Sequence, residues 1–378
     1  MEMEDRLKRL IEANNKDNRM KWTQHWQQNG KKVLGIMSSY VPEEVISAAG
    51  ILPWRLTGTF EDDANQALLH RGDASCGYCS HVLESYIQGE FDFLDGIVAT
   101  DLDQDLLRTW EVMVSLNRLP YYYAMHAPFV DSEINYHYMK DEIGRLIKSL
   151  EEYTGTQISE TALREQIDIY NKMRSLISRV YELRKRVVPP LSGAETLGIT
   201  AAARIMPKDE FNWELESLLP YLEKRETKLK QMHPRLMISS EMLDNPAYMN
   251  LIEEGCLVAM DDMETGSRYF VQNVDTTLGD PAYALAKRYL SRHGAPRMSN
   301  WEKQLDQITE WVKEYEIDGV LVFPLAWCYQ HSYRMPFLSP KLKAAGIPNV
   351  LITHDYNFTN IGQLRTRIGA FIEMVSTK

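Results

Sequence analysis

The chain has 378 residues, of which 44% are hydrophobic and 25% charged, and a formal net charge of -11. Length suggests two domains with a helical insertion, and the composition suffices for sizeable cores. The acidic balance argues against a nucleic-acid-binding face, and no run approaches the roughly 18 consecutive apolar residues of a membrane-spanning helix.

Residues 4–29 are polar with apolar residues at helical intervals, and Asn29-Gly30 closes the segment. The opening residues are charged throughout and lack the apolar stretch of a signal peptide, which predicts a cytoplasmic protein. Residues 32–37 read as a buried strand leading into a helix near Pro42, Glu43 and Glu44, with Gly50 as its stop. Residues 52–56, 95–100 and 121–126 read as further strands, with a helix from Cys76 to about Gly89. From Ser132 to about Val187 the pattern is long-period and helical, until Pro189-Pro190 breaks it. A second polar helical stretch runs from about Lys208 to Met232. Strands at 235–240, 256–260, 318–323 and 349–352 follow, with helices at 245–254 and 301–315.

Strand–helix alternation in both halves predicts an α/β fold: two Rossmann-like lobes with parallel sheets and a helical segment between them. The expected boundaries are 1–131 for the first lobe, 132–233 for the helical region and 234–378 for the second lobe. Each lobe has a strand ending in Ser-Ser, at Ser38-Ser39 and Ser239-Ser240, each followed by an acidic helix start, which suggests duplication. Ligands in such folds gather beyond the carboxyl ends of the strands. Ser38, Ser39, Thr100, Asp101, Ser239, Ser240, Asp261, Asp262, Cys328, His354 and Asp355 all fall there.

The four cysteines can be assigned one by one. Cys76 and Cys79 form a CxxC, Cys328 follows the apolar strand at 319–323, and Cys256 starts a strand. In a reducing compartment a CxxC points to metal binding or redox chemistry rather than a structural disulfide. A close pair with a distant third thiol suits an iron–sulfur cluster with one open iron, and zinc is the rival occupant. Cys256 lies at the wrong strand end and reads as a small buried hydrophobe.

Residues 39–53, Cys76-Gly-Tyr-Cys79, 89–96, Asp261–Phe270, 318–323 and 362–374 together resemble the component D subunits of the 2-hydroxyacyl-CoA dehydratase and benzoyl-CoA reductase family. The resemblance implies two Rossmann-like lobes with a [4Fe-4S] cluster in the cleft, held by three cysteines. It implies a paralogous second subunit, a separate ATP-hydrolysing iron–sulfur activator, and acyl-CoA thioesters as substrates. Radical dehydration of a 2-hydroxyacyl-CoA is the leading reading. Aryl-CoA reduction, or a non-catalytic partner subunit with a degenerate cluster site, are the alternatives.

The pattern is broken at one place. Cys76, Cys79 and Cys328 are the expected metal ligands, but Leu102 stands where the family has a cysteine, and Tyr329 replaces the usual aspartate after Cys328. Cysteines found in some relatives are here Glu264 and Ala295. By the same resemblance Ser39 is a catalytic candidate near the open iron, with helix capping as its plain alternative. Glu44 is a second candidate, with a helix-dipole role as the alternative. Arg268, in Thr265-Gly-Ser-Arg268, and Gln363 and Arg365 are candidates for binding CoA. Arg268 is equally suited to pair with Asp261 or Asp262. His331 and His354 are candidate proton carriers, more simply read as ordinary polar residues. No Walker-type loop is present, so ATP hydrolysis is not expected of this chain.

Overall fold

The computed structural model describes residues 2–58, 63–72, 74–226, 234–293, 298–299 and 301–377. The end of the helical stretch expected to reach Met232, and Ala295, lie outside the described residues. In the first part of the chain the elements run α1 (Met3–Ile11), α2 (Arg19–Gln28), β1 (Val33–Ile36), α3 (Glu43–Ala48), β2 (Leu52–Arg55), α4 (Asn65–Arg71), α5 (Gly77–Ile87), β3 (Gly96–Thr100), α6 (Gln104–Leu116) and β4 (Tyr122–Met125). The middle is helical: α7 (Glu133–Thr154), α8 (Glu160–Leu183), α9 (Gly193–Ala203) and α10 (Lys208–Leu222). The last part holds β5 (Arg235–Ser239), α11 (Pro246–Ile252), β6 (Leu257–Asp262), α12 (Ser267–Phe270), α13 (Pro281–Ser291), α14 (Trp301–Glu314), β7 (Gly319–Val322), α15 (Tyr329–Ala344), β8 (Asn349–Leu351) and α16 (Ile361–Ser376).

The strands form two four-stranded sheets, ordered β2-β1-β3-β4 and β6-β5-β7-β8. Every pairing is parallel. The fold class read from the sequence is therefore borne out. The same order appears in both sheets, which is the physical content of the echo between Ser38-Ser39 and Ser239-Ser240. Strands β1, β2, β3, β5, β6 and β7 are buried along their whole length, as expected where helices cover both faces. Gly96 permits the tight β3–β4 approach: a Cβ there would sit 2.3 Å from the Tyr121 carbonyl oxygen.

The single helical pattern expected over 132–187 is two helices. Gly155 takes φ +70° as the left-handed cap of α7, and the Ser159 hydroxyl caps α8 by accepting from the Ala162 N–H. Helix α9 begins at Ser192, whose capping box with Glu195 satisfies two amide groups. Helix α15 forms despite Pro336 and Pro340, the residues that hid it in the sequence. At the start of the chain, α1 packs on α9 and α10 rather than on the first sheet.

In each sheet the chain order reverses direction beside the first strand, between β1 and β3 and between β5 and β7. The loops that leave those strands converge between the lobes. Crevices at such reversals are where open α/β sheets bind ligands.

Candidate functional site

The convergence encloses a cavity of about 30 Å³, lined from the first lobe by Ser38, Cys76, Cys79, Leu102 and Asp103, and from the second by Glu241, Leu325 and Cys328. Cys76 is the N-cap of α5, so Cys79 follows one turn later on the same helix. Cys328 is the N-cap of α15. All three are reduced and buried. The S–H groups of Cys328 and Cys79 stabilise the Cys76 thiolate and hold its pKa well below the usual thiol value. Contact with Cys76 together with burial pushes Cys328 well above it, and burial first, then Cys76, does the same to Cys79. Of the three thiols, Cys76 is thus the first to ionise, with the other two as its hydrogen-bond donors.

The expectation of a [4Fe-4S] cluster on this chain is corrected here. Among the described residues no group of three or more His, Cys, Asp or Glu is arranged to hold a metal ion. A volume of about 30 Å³ has room for one or two waters, which need at least ~10–15 Å³ each, and not for eight iron and sulfide atoms. Leu102, which is 1% exposed, occupies the wall that would carry the missing thiolate, and a hydrocarbon side chain offers no ligand. Cys256 is fully buried and donates to the Ile252 carbonyl, as a packed thiol does.

Around this cavity the lobes are joined by buried charge. Arg55 at the end of β2 donates to Glu264 at 3.2 Å, and the Ser39 N–H donates to the same Oε1 at 3.0 Å. Burial opposes ionisation of Glu264, but Arg55 outweighs it and keeps the carboxyl below its ordinary range. Arg268 donates from Nε to Asp262 at 2.6 Å and from Nη1 to Glu241 at 2.7 Å. Asp262 stays ionised well below its usual pKa: burial acts against this, and Arg268 and His293 overcome it. Glu241 receives less compensation, and burial raises it to about 7 despite Arg268. Asp103, which caps α6 through the Asp105 and Leu106 N–H groups, is also raised to about 7 by burial and by the Cys76 charge.

The candidates from sequence fall in three places. Ser39 lies at the lobe junction, where Arg292 donates to its hydroxyl at 3.0 Å and its carbonyl at 2.8 Å. It does not cap α3, whose N-cap is Pro42. Glu44 is completely buried, paired with Arg174 and accepting from the Tyr289 hydroxyl at 2.8 Å. Arg268 takes the pairing alternative, with Asp262. Its turn is tight because Asp261 accepts from the Ser267 N–H at 2.7 Å, and a Cβ on Gly266 would lie 2.1 Å from that oxygen. Gln363 and Arg365 are exposed on α16 and line no part of the cysteine cavity; Arg365 pairs with Glu254 at 2.7 Å. His331 and His354 are both buried, and burial lowers the pKa of each, His354 to about 4.

Sequence reading missed Glu241, Arg55 and Arg292 as parts of this site. Glu241 follows Ser240 and Arg55 ends a strand, so the strand-end rule had reach enough to find both. Arg292 carries no signal, because only tertiary packing brings the segment after α13 to Ser39.

Comparison with known proteins agrees with this architecture. Residues 38–375 match the family described as 2-hydroxyglutaryl-CoA dehydratase, D-component. The chain is 24% identical over 351 residues to the (R)-phenyllactyl-CoA dehydratase beta subunit of Clostridium sporogenes, covering 92% of this chain and 93% of that protein. It is 26% identical over 360 residues to one of the benzoyl-CoA reductase subunits of Thauera aromatica, covering 91% of each. To the beta subunit of (R)-2-hydroxyglutaryl-CoA dehydratase of Acidaminococcus fermentans it is 24% identical over 356 residues, covering 92% and 93%.

Proposed function

The chain belongs to the 2-hydroxyglutaryl-CoA dehydratase D-component family, and on that premise we propose that it is one subunit of a heteromeric complex that removes water from a 2-hydroxyacyl-CoA. Its partner is a paralogous second subunit, and a separate ATP-hydrolysing activator supplies the electron. Support for the assembly comes from the relatives, which are named as beta subunits. Within the complex this chain is the metal-free member: it supplies the two-lobed frame and the interface, and the redox centre resides on its partner. The observation that carries this assignment is Leu102 in the wall of a cavity of about 30 Å³.

The test is to co-produce the chain with a paralogous subunit, purify the complex without oxygen, and assay 2-hydroxyacyl-CoA dehydration with activator and ATP. Activity requiring both subunits, with iron following the partner when the two are separated, is the expected result. About four irons retained by this chain would overturn the assignment. Similarity to the benzoyl-CoA reductase of Thauera aromatica supplies a second reading, reduction of an aryl-CoA. Supplying benzoyl-CoA in the same assay distinguishes the two reactions.

A further inference from the structure

A second cavity, about 660 Å³, lies away from the cysteines where α1, α2, α9 and α11 meet the loop after β2. Its size falls within the few hundred to ~1,000 Å³ range of small-molecule sites. Two buried groups of opposite charge line it: Arg19, 9% exposed, and Asp244, 8% exposed. Arg19 lies over two rings, with its guanidinium carbon 5.0 Å from the Trp54 ring centre and 5.9 Å from that of Phe91. Its one hydrogen bond among the described residues is to the Thr57 carbonyl at 3.2 Å, and it forms no ion pair there. Asp244 forms a long buried ion pair with Arg204 and accepts from the Tyr356 hydroxyl, both at 3.5 Å.

A buried guanidinium without a carboxylate is costly, and stacking on an aromatic ring offsets only part of that cost. Arg19 and Asp244 do not pair with each other, so each retains hydrogen-bonding capacity toward the cavity. The rest of the lining is acidic on balance, with Glu12, Asp17, Glu90 and Glu195 against Lys16, which disfavours phosphates and other polyanions. Amide side chains of Asn14, Asn245 and Asn250 add neutral polar groups, and the Asn14 Oδ1 is buried without a partner. Leu197 and Phe358 supply apolar wall.

We propose that this cavity binds a small zwitterion of the amino-acid class, its carboxylate on Arg19 and its ammonium on Asp244. A single molecule carrying both charges gives Arg19 the carboxylate it lacks and Asp244 a second cation beside its long ion pair with Arg204, which neither a simple carboxylate nor a simple amine achieves. The site stands apart from the cysteine cavity and does not depend on the proposed dehydratase role.

The test is calorimetry and thermal unfolding of the full chain with individual L-amino acids and ω-amino acids. The matching deaminated acids and decarboxylated amines serve as controls. At least one amino acid should bind and raise the unfolding temperature by a few degrees at saturating concentration, with each half-molecule about tenfold weaker or more. Arg19→Met and Asp244→Asn should each weaken that binding about tenfold or more. No binding by any amino acid, equal binding by a half-molecule, or unchanged affinity in Arg19→Met would overturn the proposal. The half-molecule comparison decides the matter even if either variant fails to fold.

Discussion

Arg55 reaches from the end of β2 across the lobe junction and donates to Glu264, which stands just beyond β6, at 3.2 Å with both side chains buried. Removing one partner of a buried pair strands the other charge, at a cost of about 3–5 kcal/mol. Arg55→Met should lower stability to urea by that order, and adding Glu264→Leu should recover much of the loss. A double variant no more stable than Arg55→Met would mean that the pair does not act as a unit.

Stability should also depend on pH through Glu241. Its carboxyl titrates near 4.5 when exposed and at about 7 in the folded protein. The folded state therefore binds that proton more tightly between those values, and the contribution of Glu241 to stability falls as pH rises from about 4.5 to 7, then levels off; buried His354, lowered to about 4, acts in the opposite sense up to about pH 6.5. The contribution is at most about 3 kcal/mol. Glu241→Gln should remove this contribution, so the difference between the variant and the unaltered chain falls between about pH 4.5 and 7, whatever Asp103, raised in the same direction, and His354, lowered, add to both. Below about pH 4.5 stability falls as the medium becomes more acid, because Glu264 and Asp262 have lowered values and lose their pairings on protonation. Urea titrations of the unaltered chain and Glu241→Gln from about pH 2 to 8 check both limbs.

Leu102 contributes to the first-lobe core with Val98 and Met125 as well as to the cavity wall. Truncation to alanine should cost about 2–5 kcal/mol, with the larger values if the wall does not collapse. Chemical unfolding of Leu102→Ala measures it, and a loss well under 1 kcal/mol would contradict tight packing there.

Three thiols packed together without metal behave differently from ligands. Cys328→Ala should leave the iron and sulfide content of the anaerobically purified chain unchanged from that of the unaltered chain. It should cost about 1 kcal/mol of stability, as removal of a small buried group does. Loss of iron on this substitution would restore the cysteines as ligands.

Much of the fold was legible because its signals are local. Short apolar runs such as 319–322, rich in Val and bounded by turn residues, favour buried strands over helices, and alternation with helices makes that sheet parallel. Where local signals conflict, reading failed: Pro336 and Pro340 hid α15, and Gly155 split a helix whose apolar spacing ran on around it. In the site, the residues that end strands were within reach, whereas Arg292 and Arg19 were not. A cation's function depends on which carboxylate lies beside it, and that is a matter of contacts between segments distant in sequence.

By itself, then, the sequence determined the two parallel-sheet lobes, the family, and the gathering of Cys76, Cys79 and Cys328 at strand and helix ends. Only the tertiary structure decided what those cysteines face. The space between the lobes is walled by Leu102 among others and flanked by buried ion pairs, leaving about 30 Å³. Volume is a property of packing, set by side chains from both lobes at once, and no spacing of cysteines along a chain encodes it.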